Sequence, residues 1–550
     1  MARGTILAAA IGDCVHVAGL HAFLRLANAA GYETRFLGPA VSPETLTEEV
    51  RQHRPEIVAL SYRLTPASAR GVLTAVCRAI PEGERPGIRF IFGGTPPAAA
   101  VAAETGLFER IFDGTEGPDE IVAFLEGQPR DRPADEYPAT LVSRVEAAAP
   151  SPIIRHHFGR PSLEETIAGA QQIAEAHALD VLSLGPDQNA QEHFFRPERM
   201  DPAQDGAGGV PVRRAEDLTA IREATRCGNF PLLRCYSGTN DLVRWAQMLY
   251  DTIDVAWGAV PLFWYSALDG RSRRPLPQAI RENQEAIAWY ASQGIPVEVN
   301  DPHQWALRDA HDSLAVAVAY LAAHNARRLG VRVYVAQYML STPPGLSPAM
   351  DLAKALAAKE LVESLANGDF QALTEARPGL RSSPGDFARA KGHLAASAFL
   401  SLALRPDILH VVGFSESHHA ILPDELIESC QIARGALTGN LEDCPDMLDS
   451  PRVLGRKEEL LREAQVLLET LRDVPGAPSC DDPWTDPDCL ARAVKLGILD
   501  APHLWGSGAA AGRVVSGCVD GAYWALDAET GRPLREQDRL APLLAAARRS

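Results

Sequence analysis

No stretch of this chain stays apolar for the ~18 residues that a membrane-spanning helix requires. Charge interrupts every apolar run sooner, so a membrane is not an expected partner. No CxxC pair occurs among the nine cysteines, which are scattered from Cys14 to Cys518. Neither a disulfide framework nor a zinc site is therefore signalled, and mostly buried thiols are expected. Positive charge is in deficit, with 53 Lys and Arg against 71 Asp and Glu and a net charge of −18. Such a chain repels polyphosphate, which argues against nucleic acid as a partner while leaving room for a small anion in a local basic pocket. Internal repeats and long low-complexity tracts are absent. The opening MARGTILAAAIGDC runs straight into a strand pattern rather than a cleavage site, and a cytoplasmic location is expected.

What is there is the composition of a folded protein, 46% apolar and 23% charged, over a length that accommodates two to four domains. Residues 1–127 alternate strand-like and helix-like segments: TILAAAI, GLHAFLRLANAA, YETRFLG, SPETLTEEVRQH, EIVALSYRL, ASARGVLTAVCRAI, IRFIFGG, then RIFDGT and DEIVAFLEG. Near-continuous apolar strands between amphipathic helices predict a doubly wound, flavodoxin-like α/β domain of five parallel strands. Residues 128–150, rich in Pro, Arg and acids, are the expected linker. From 151 to 435 eight strand-like pieces recur between helices: PIIRHHF, DVLSL, FPLLRCYS, GAVPLFWY, PVEVND, RVYVAQYM, a weak one around GLRSS, and ILHVVGF. They fit a (β/α)8 barrel, with an open α/β sheet as the alternative. Residues 436–550, which include the charged helix PRVLGRKEELLREAQVLLETLRD, are expected to pack on the barrel as an extension.

The stretch GDCVHVAG follows the first strand at the sheet edge where doubly wound domains bind ligands. Read alone it is a βα turn in which Gly12 and Gly19 relax the backbone, Asp13 caps the helix and His16 is incidental. Two further stretches end strands on the same edge: LSYRLTP, with Ser61, Arg63 and Thr65, and FGGTPP, with Gly93, Gly94 and Thr95. Together they resemble the cobalamin-binding domain of B12-dependent mutases and methyltransferases. The resemblance implies that His16 is the axial cobalt ligand, with a nearby carboxylate orienting its other N–H. It also implies that the glycines clear a channel for the displaced nucleotide tail and that the hydroxyls bond the buried base or phosphate. The family pattern is D-x-H-x-x-G; here Asp13 stands one residue further from His16, and Arg63 replaces a leucine.

Several later stretches are similar, in the same order, to the barrel subunit of glutamate mutase (methylaspartate mutase): HFGRPSLEETI, FPLLRCYSGTND, GFSESHHAILPDELIESCQIARGAL and LARAVKLGILDAPHLWGSGAAAG. The resemblance implies an isomerase that uses adenosylcobalamin to abstract a substrate hydrogen and migrate a carbon fragment. It places substrate-binding arginines at Arg160 and Arg234, whose plain reading is surface charge at strand ends, and a tyrosine at Tyr265. Where the family has another arginine this chain reads SLGPDQNAQ, with Asp187. The lysine and glutamate that contact the adenosyl ribose are replaced within SESHHA, by Ser415 and His419. The expected substrate is therefore a small carboxylate other than glutamate. His418 and His419 either cap a helix or serve the barrel mouth as carboxylate ligands or proton carriers. NDPHQWALRDAHD groups Asp301, His303 and His311, at a spacing that matches no metal signature. A methylcobalamin-dependent methyltransferase and a non-catalytic cobalamin-binding sensor or carrier are the alternatives, and homodimerisation is left open.

Overall fold

The computed structural model describes residues 3–127, 133–438 and 446–549. The chain divides into two compact units, Met1–Arg132 and Pro133–Ser550. Of the expected linker, residues 128–132 lie outside the described residues. The remainder belongs to the second unit, where Thr140 and Ser143 form a capping box that starts the helix Leu141–Ala148.

In the first unit β1 (Thr5–Ile11), β2 (Glu33–Val41), β3 (Ile57–Tyr62), β4 (Arg89–Gly94) and β5 (Arg110–Phe112) form one parallel sheet in the order β2-β1-β3-β4-β5. Successive side chains point to opposite faces, so one strand feeds two cores. Leu7, Ala9 and Ile11 pack with Val58, Leu60, Leu73 and Phe92 on one face. Ile6 and Ala8 pack with Leu20, Phe23, Ile57 and Ile91 on the other. The order reverses between β1 and β3, and the connections there diverge to opposite faces, opening a crevice at the strands' carboxyl ends.

In the second unit eight parallel strands run β6 (Ile153–Phe158), β7 (Val181–Leu184), β8 (Leu232–Cys235), β9 (Gly258–Val260), β10 (Val297–Val299), β11 (Val333–Leu340), β12 (Gln371–Pro378) and β13 (Ile408–His410). Their spatial order is β8-β7-β6-β13-β12-β11-β10-β9. A bridge from Tyr236 to Ala259 joins the two ends, giving a nearly closed barrel. The seventh strand is QALTEARP, not the neighbourhood of GLRSS, where Leu380–Ser382 form a turn of 3-10 helix. Its polar composition has a physical cause: Glu375 points into the barrel, where buried arginine meets it.

The extension packs on the barrel's outer helices. Its helix Pro451–Thr470 lies against the helices Asp312–Arg328 and Pro348–Glu363, and Val515–Val519 (β14) pairs with Ala522–Leu526 (β15) as a hairpin. Among the described cysteines Cys14, Cys235, Cys430 and Cys489 are buried, while Cys518 is exposed. The Cys480 and Cys489 thiols come within 3.3 Å, beside the Asp486 carboxylate. No helix among the described residues is long and apolar enough to cross a membrane.

Two buried ion clusters fasten the extension. Arg456 pairs with Asp312 at 3.1 Å. Glu536 accepts from Arg539 at 2.7 Å and lies 2.5 Å from the His311 imidazole. Burial works to raise the Glu536 pKa, but Arg539 and then His311 outweigh it and hold the carboxyl at about 2, against an ordinary 4.5. A carboxylate with a depressed pKa stabilises the fold above its unfolded value and loses that contribution as pH falls toward its folded value. Glu536→Gln is therefore expected to cost about 3 kcal/mol at neutral pH. Urea melts of both proteins at stepped pH should show the gap narrowing below about pH 4.5.

Candidate functional site

In the first unit the carboxyl ends of β1, β3 and β4 border a groove of about 480 Å³. Gly19, Leu20 and Phe23 form one wall, Ala59, Ile91 and Phe112 its floor, and Ser61, Arg63, Gly93, Gly94 and Thr95 its rim. The two rim glycines differ. A β-carbon on Gly93 would meet nothing within 4 Å, whereas one on Gly94 would lie 2.6 Å from the Tyr62 carbonyl oxygen. Gly93 thus keeps the groove open, and Gly94 lets β3 and β4 approach. Ser61 and Thr95 both line the groove, and among the described residues neither hydroxyl has a hydrogen-bond partner. Thr95 begins a helix with Pro96 and Pro97, and the first N–H after them, on Ala98, donates to the Thr95 carbonyl at 2.9 Å rather than to its hydroxyl. Thr65 is spent differently, accepting from the Ser68 N–H as a helix cap outside the groove. An apolar slot with free hydroxyls and no side chain at position 93 fits the flat base and phosphate of a corrinoid's nucleotide tail.

His16 lies on the exposed loop after β1, beside Val15, itself 62% exposed. The expectation that Asp13 orients it is corrected. The Asp13 carboxylate accepts from the Tyr62 hydroxyl at 2.8 Å, and the atom near His16 Nδ1 is Cys14 Sγ, at 3.9 Å.

In the second unit a cavity of about 220 Å³ opens at the carboxyl ends of the barrel strands, lined by Tyr236, Tyr265, Arg271, Asn300, His303, Gln337 and Arg377. A second cavity of about 490 Å³ shares Gly185, Gly208 and Tyr236 with it and adds His157, Glu416 and His419. Active sites of such barrels lie at this face. The cavity rests on a lattice of buried charge. Arg155 donates to Glu375 at 2.6 Å, to Ser183 at 2.9 Å and to Glu298 at 3.4 Å. Arg234 donates to Glu298 at 2.6 Å, and so does the Trp257 indole at 2.9 Å. Gln337 donates to both glutamates, at 2.9 and 3.0 Å. Burial opposes ionisation of Glu298, but Arg234 and Arg155 hold its pKa below the usual range, whereas burial pushes Glu375 up. Burial, aided by nearby arginine, drives the pKa of His157, His303 and His410 well below the usual imidazole value, so all three are neutral at pH 7.

The sequence-nominated residues divide accordingly. Tyr265 lines the smaller cavity, its phenol pushed up to about 12 by burial, and His419 lines the larger one while bonding Glu425 at 2.9 Å. Arg234 is not at the surface: it is fully buried beneath the cavity and already paired. Arg160 contacts Glu165 and the Ala420 carbonyl, outside both cavities. His418 is likewise outside both, its Nε2 2.7 Å from the Gly385 carbonyl oxygen and its ring edge-on to Phe387. Asp187 is a buried helix cap clamped by Arg213. Asp301 accepts from the Leu262 and Phe263 amides, and burial raises its pKa to about 7; with His303 on the cavity and His311 on Glu536, the three do not converge. Arg377 was missed. It lines the cavity, one Nη against the His303 imidazole, and among the described residues it has no carboxylate partner. Glu298→Gln would leave Arg234 buried without its counter-charge. A loss of about 3–5 kcal/mol in a urea melt is expected.

Comparison with known proteins agrees for the first unit. Residues 4–123 match the family model described as the B12 binding domain. A cobalamin-binding protein from Desulfitobacterium hafniense is 30% identical over 22% of this chain and 56% of its own, with a TM-score of 0.19. NtrX from Brucella abortus, solved in complex with ADP, aligns over 86% of this chain and 93% of its own at 10% identity, with a TM-score of 0.18. No curated protein matches. The first unit, by its strand order, its groove and the family match, is a B12-binding domain.

Proposed function

We propose that the chain is a cobalamin-dependent isomerase that rearranges the carbon skeleton of a small carboxylate other than glutamate. The observation that carries the reading is the charge balance at the barrel mouth and in the floor beneath it, where Arg155, Arg234 and Arg377 have between them, among the described residues, only Glu298 and Glu375 as paired carboxylates. Buried charge is tolerated when paired; an arginine left over beside a cavity invites an anion. Its planar fork suits a carboxylate, and 220 Å³ limits the guest to a small molecule. Adenosylcobalamin, when bound, supplies the carbon radical that such a rearrangement requires. The chain's own residues do the rest. Gly93, Ser61 and Thr95 receive the nucleotide tail, and His16 is the ligand offered to cobalt. Arg377 anchors the carboxylate, with Arg271 over the Tyr265 ring at 5.0 Å as a second cation at the rim. The neutral His303 donates its Nδ1–H to the Gln337 amide oxygen at 3.1 Å, so that Nε2, 3.3 Å from Arg377 Nη1, accepts the arginine's N–H and aims the guanidinium without adding charge.

A second reading, methyl transfer from methylcobalamin, draws on the two positions that replace the ribose contacts. Ser415 and His419 are both engaged by Glu425, which favours a smaller upper ligand. Electron paramagnetic resonance separates them: a cob(II)alamin signal that rises on adding substrate supports the isomerase, and loss of the methyl group to an acceptor supports the transferase. Gly93→Leu, by filling the slot, is expected to weaken cobalamin at least tenfold in equilibrium dialysis while leaving the circular dichroism spectrum unchanged. Arg377→Gln should raise KM for the carboxylate substrate more than tenfold, with cobalamin affinity unaltered.

A further inference from the structure

We propose that Cys14 is the positioning residue for His16, its sulfur taking the place of the oxygen acceptor that a metal-bound imidazole ordinarily engages. The inference rests on the reading that His16 is the cobalt ligand. A ligating histidine presents one ring nitrogen to the metal and donates the N–H of the other to a fixed partner, which sets the tautomer and the ring plane. Nδ1 of His16 has one neighbour of that kind among the described residues, Cys14 Sγ at 3.9 Å. Nε2 has no hydrogen-bond partner among them, which leaves it available to a metal.

The sulfur is well placed to act as a fixed point. Cys14 is fully buried in the core beneath the sheet edge. Its amide donates to the Ile11 carbonyl at 3.2 Å, and its own carbonyl accepts from Ala40 at 2.9 Å. The neighbouring carboxylate is directed elsewhere: Asp13 Oδ1 accepts from the Tyr62 hydroxyl at 2.8 Å, and among the described residues no hydrogen bond joins Asp13 to His16. Sulfur is a weak acceptor, so it orients the ring while withdrawing little of the N–H proton. The imidazole is then a less electron-rich ligand than one backed by a carboxylate.

The test loads the full chain with cobalamin reduced to the cob(II) state and reads the nitrogen splitting of its paramagnetic resonance spectrum, with protein grown on 15N-histidine to identify the axial atom. Wild type is expected to show protein nitrogen on cobalt. Cys14→Ala and Cys14→Val, the second keeping apolar bulk, should shift the histidine-bound fraction down by about tenfold in equilibrium constant. Cys14→Ser, which restores a polar partner of similar size, should recover it. A purely packing role for Cys14 predicts the reverse: Val holds the splitting and Ser loses stability, and that result overturns the proposal. Cobalamin bound without histidine nitrogen in wild type also overturns it while leaving cobalamin binding intact. Failure of every form of cobalamin to bind would instead sink the functional reading itself.

Discussion

The second unit is organised around the charge buried on the barrel axis. Arg155, Glu375, Glu298 and Arg234 are all inaccessible to solvent, and removing each from water costs several kcal/mol before any pairing. The barrel recovers this with a dense set of hydrogen bonds, drawing Ser183 from β7, Gln337 from β11 and Trp257 from the approach to β9. A hydrophobic plug would fill the same space at less risk. What the ionic layer adds is a rigid polar floor: Arg234 Nε and Nη1 and Arg155 Nη2 remain without protein partners, so the lattice retains donors in excess.

This lattice explains which parts of the fold are legible in the sequence and which are not. The strands of the first unit are apolar throughout and flanked by amphipathic helices, so TILAAAI and EIVALSY announce themselves. β12 does not, since TEARP places an acid and a base where a strand pattern expects Val or Ile. Arg234 and Arg155 sit inside strands that the alternation rule marks as half inward, yet an inward charge is legible only when its partner is known. Glu298 is 64 residues from Arg234, and Glu375 is 220 from Arg155. Arg377 stayed hidden for the same reason. A charged residue at every second position of a barrel strand is the signal that would have found it.

In the first unit the sequence marked the right edge of the sheet but merged distinct jobs. Two glycines, read as one device, divide into Gly93, which bounds an open slot, and Gly94, which a neighbouring carbonyl forbids to be anything larger. Two threonines that both start helices divide according to which of their oxygens takes the N–H of the helix's third residue. Thr65 accepts the Ser68 N–H on its hydroxyl and becomes a cap; the corresponding Ala98 N–H goes to the Thr95 carbonyl, and the Thr95 hydroxyl stays on the groove. One-residue shifts matter equally. Moving the acid to position 13 hands it to Tyr62 and leaves the thiol of Cys14 as the group beside His16.

The anion proposed as substrate would gain nothing from long-range attraction to a chain of net charge −18, because the overall field opposes its approach. Selectivity must then be created at short range. A cavity with guanidinium groups on its wall would meet that need, since a guanidinium beside a buried floor interacts far more strongly than one in bulk solvent and is little affected by dissolved salt. The neutral histidines contribute by what they lack. Had His157, His303 and His410 been protonated, the mouth would hold still more positive charge and would bind any anion indiscriminately. Kept neutral by burial and by the arginines themselves, they confine the charge to guanidinium groups of fixed direction, so that the proposed recognition would depend on geometry as well as on sign.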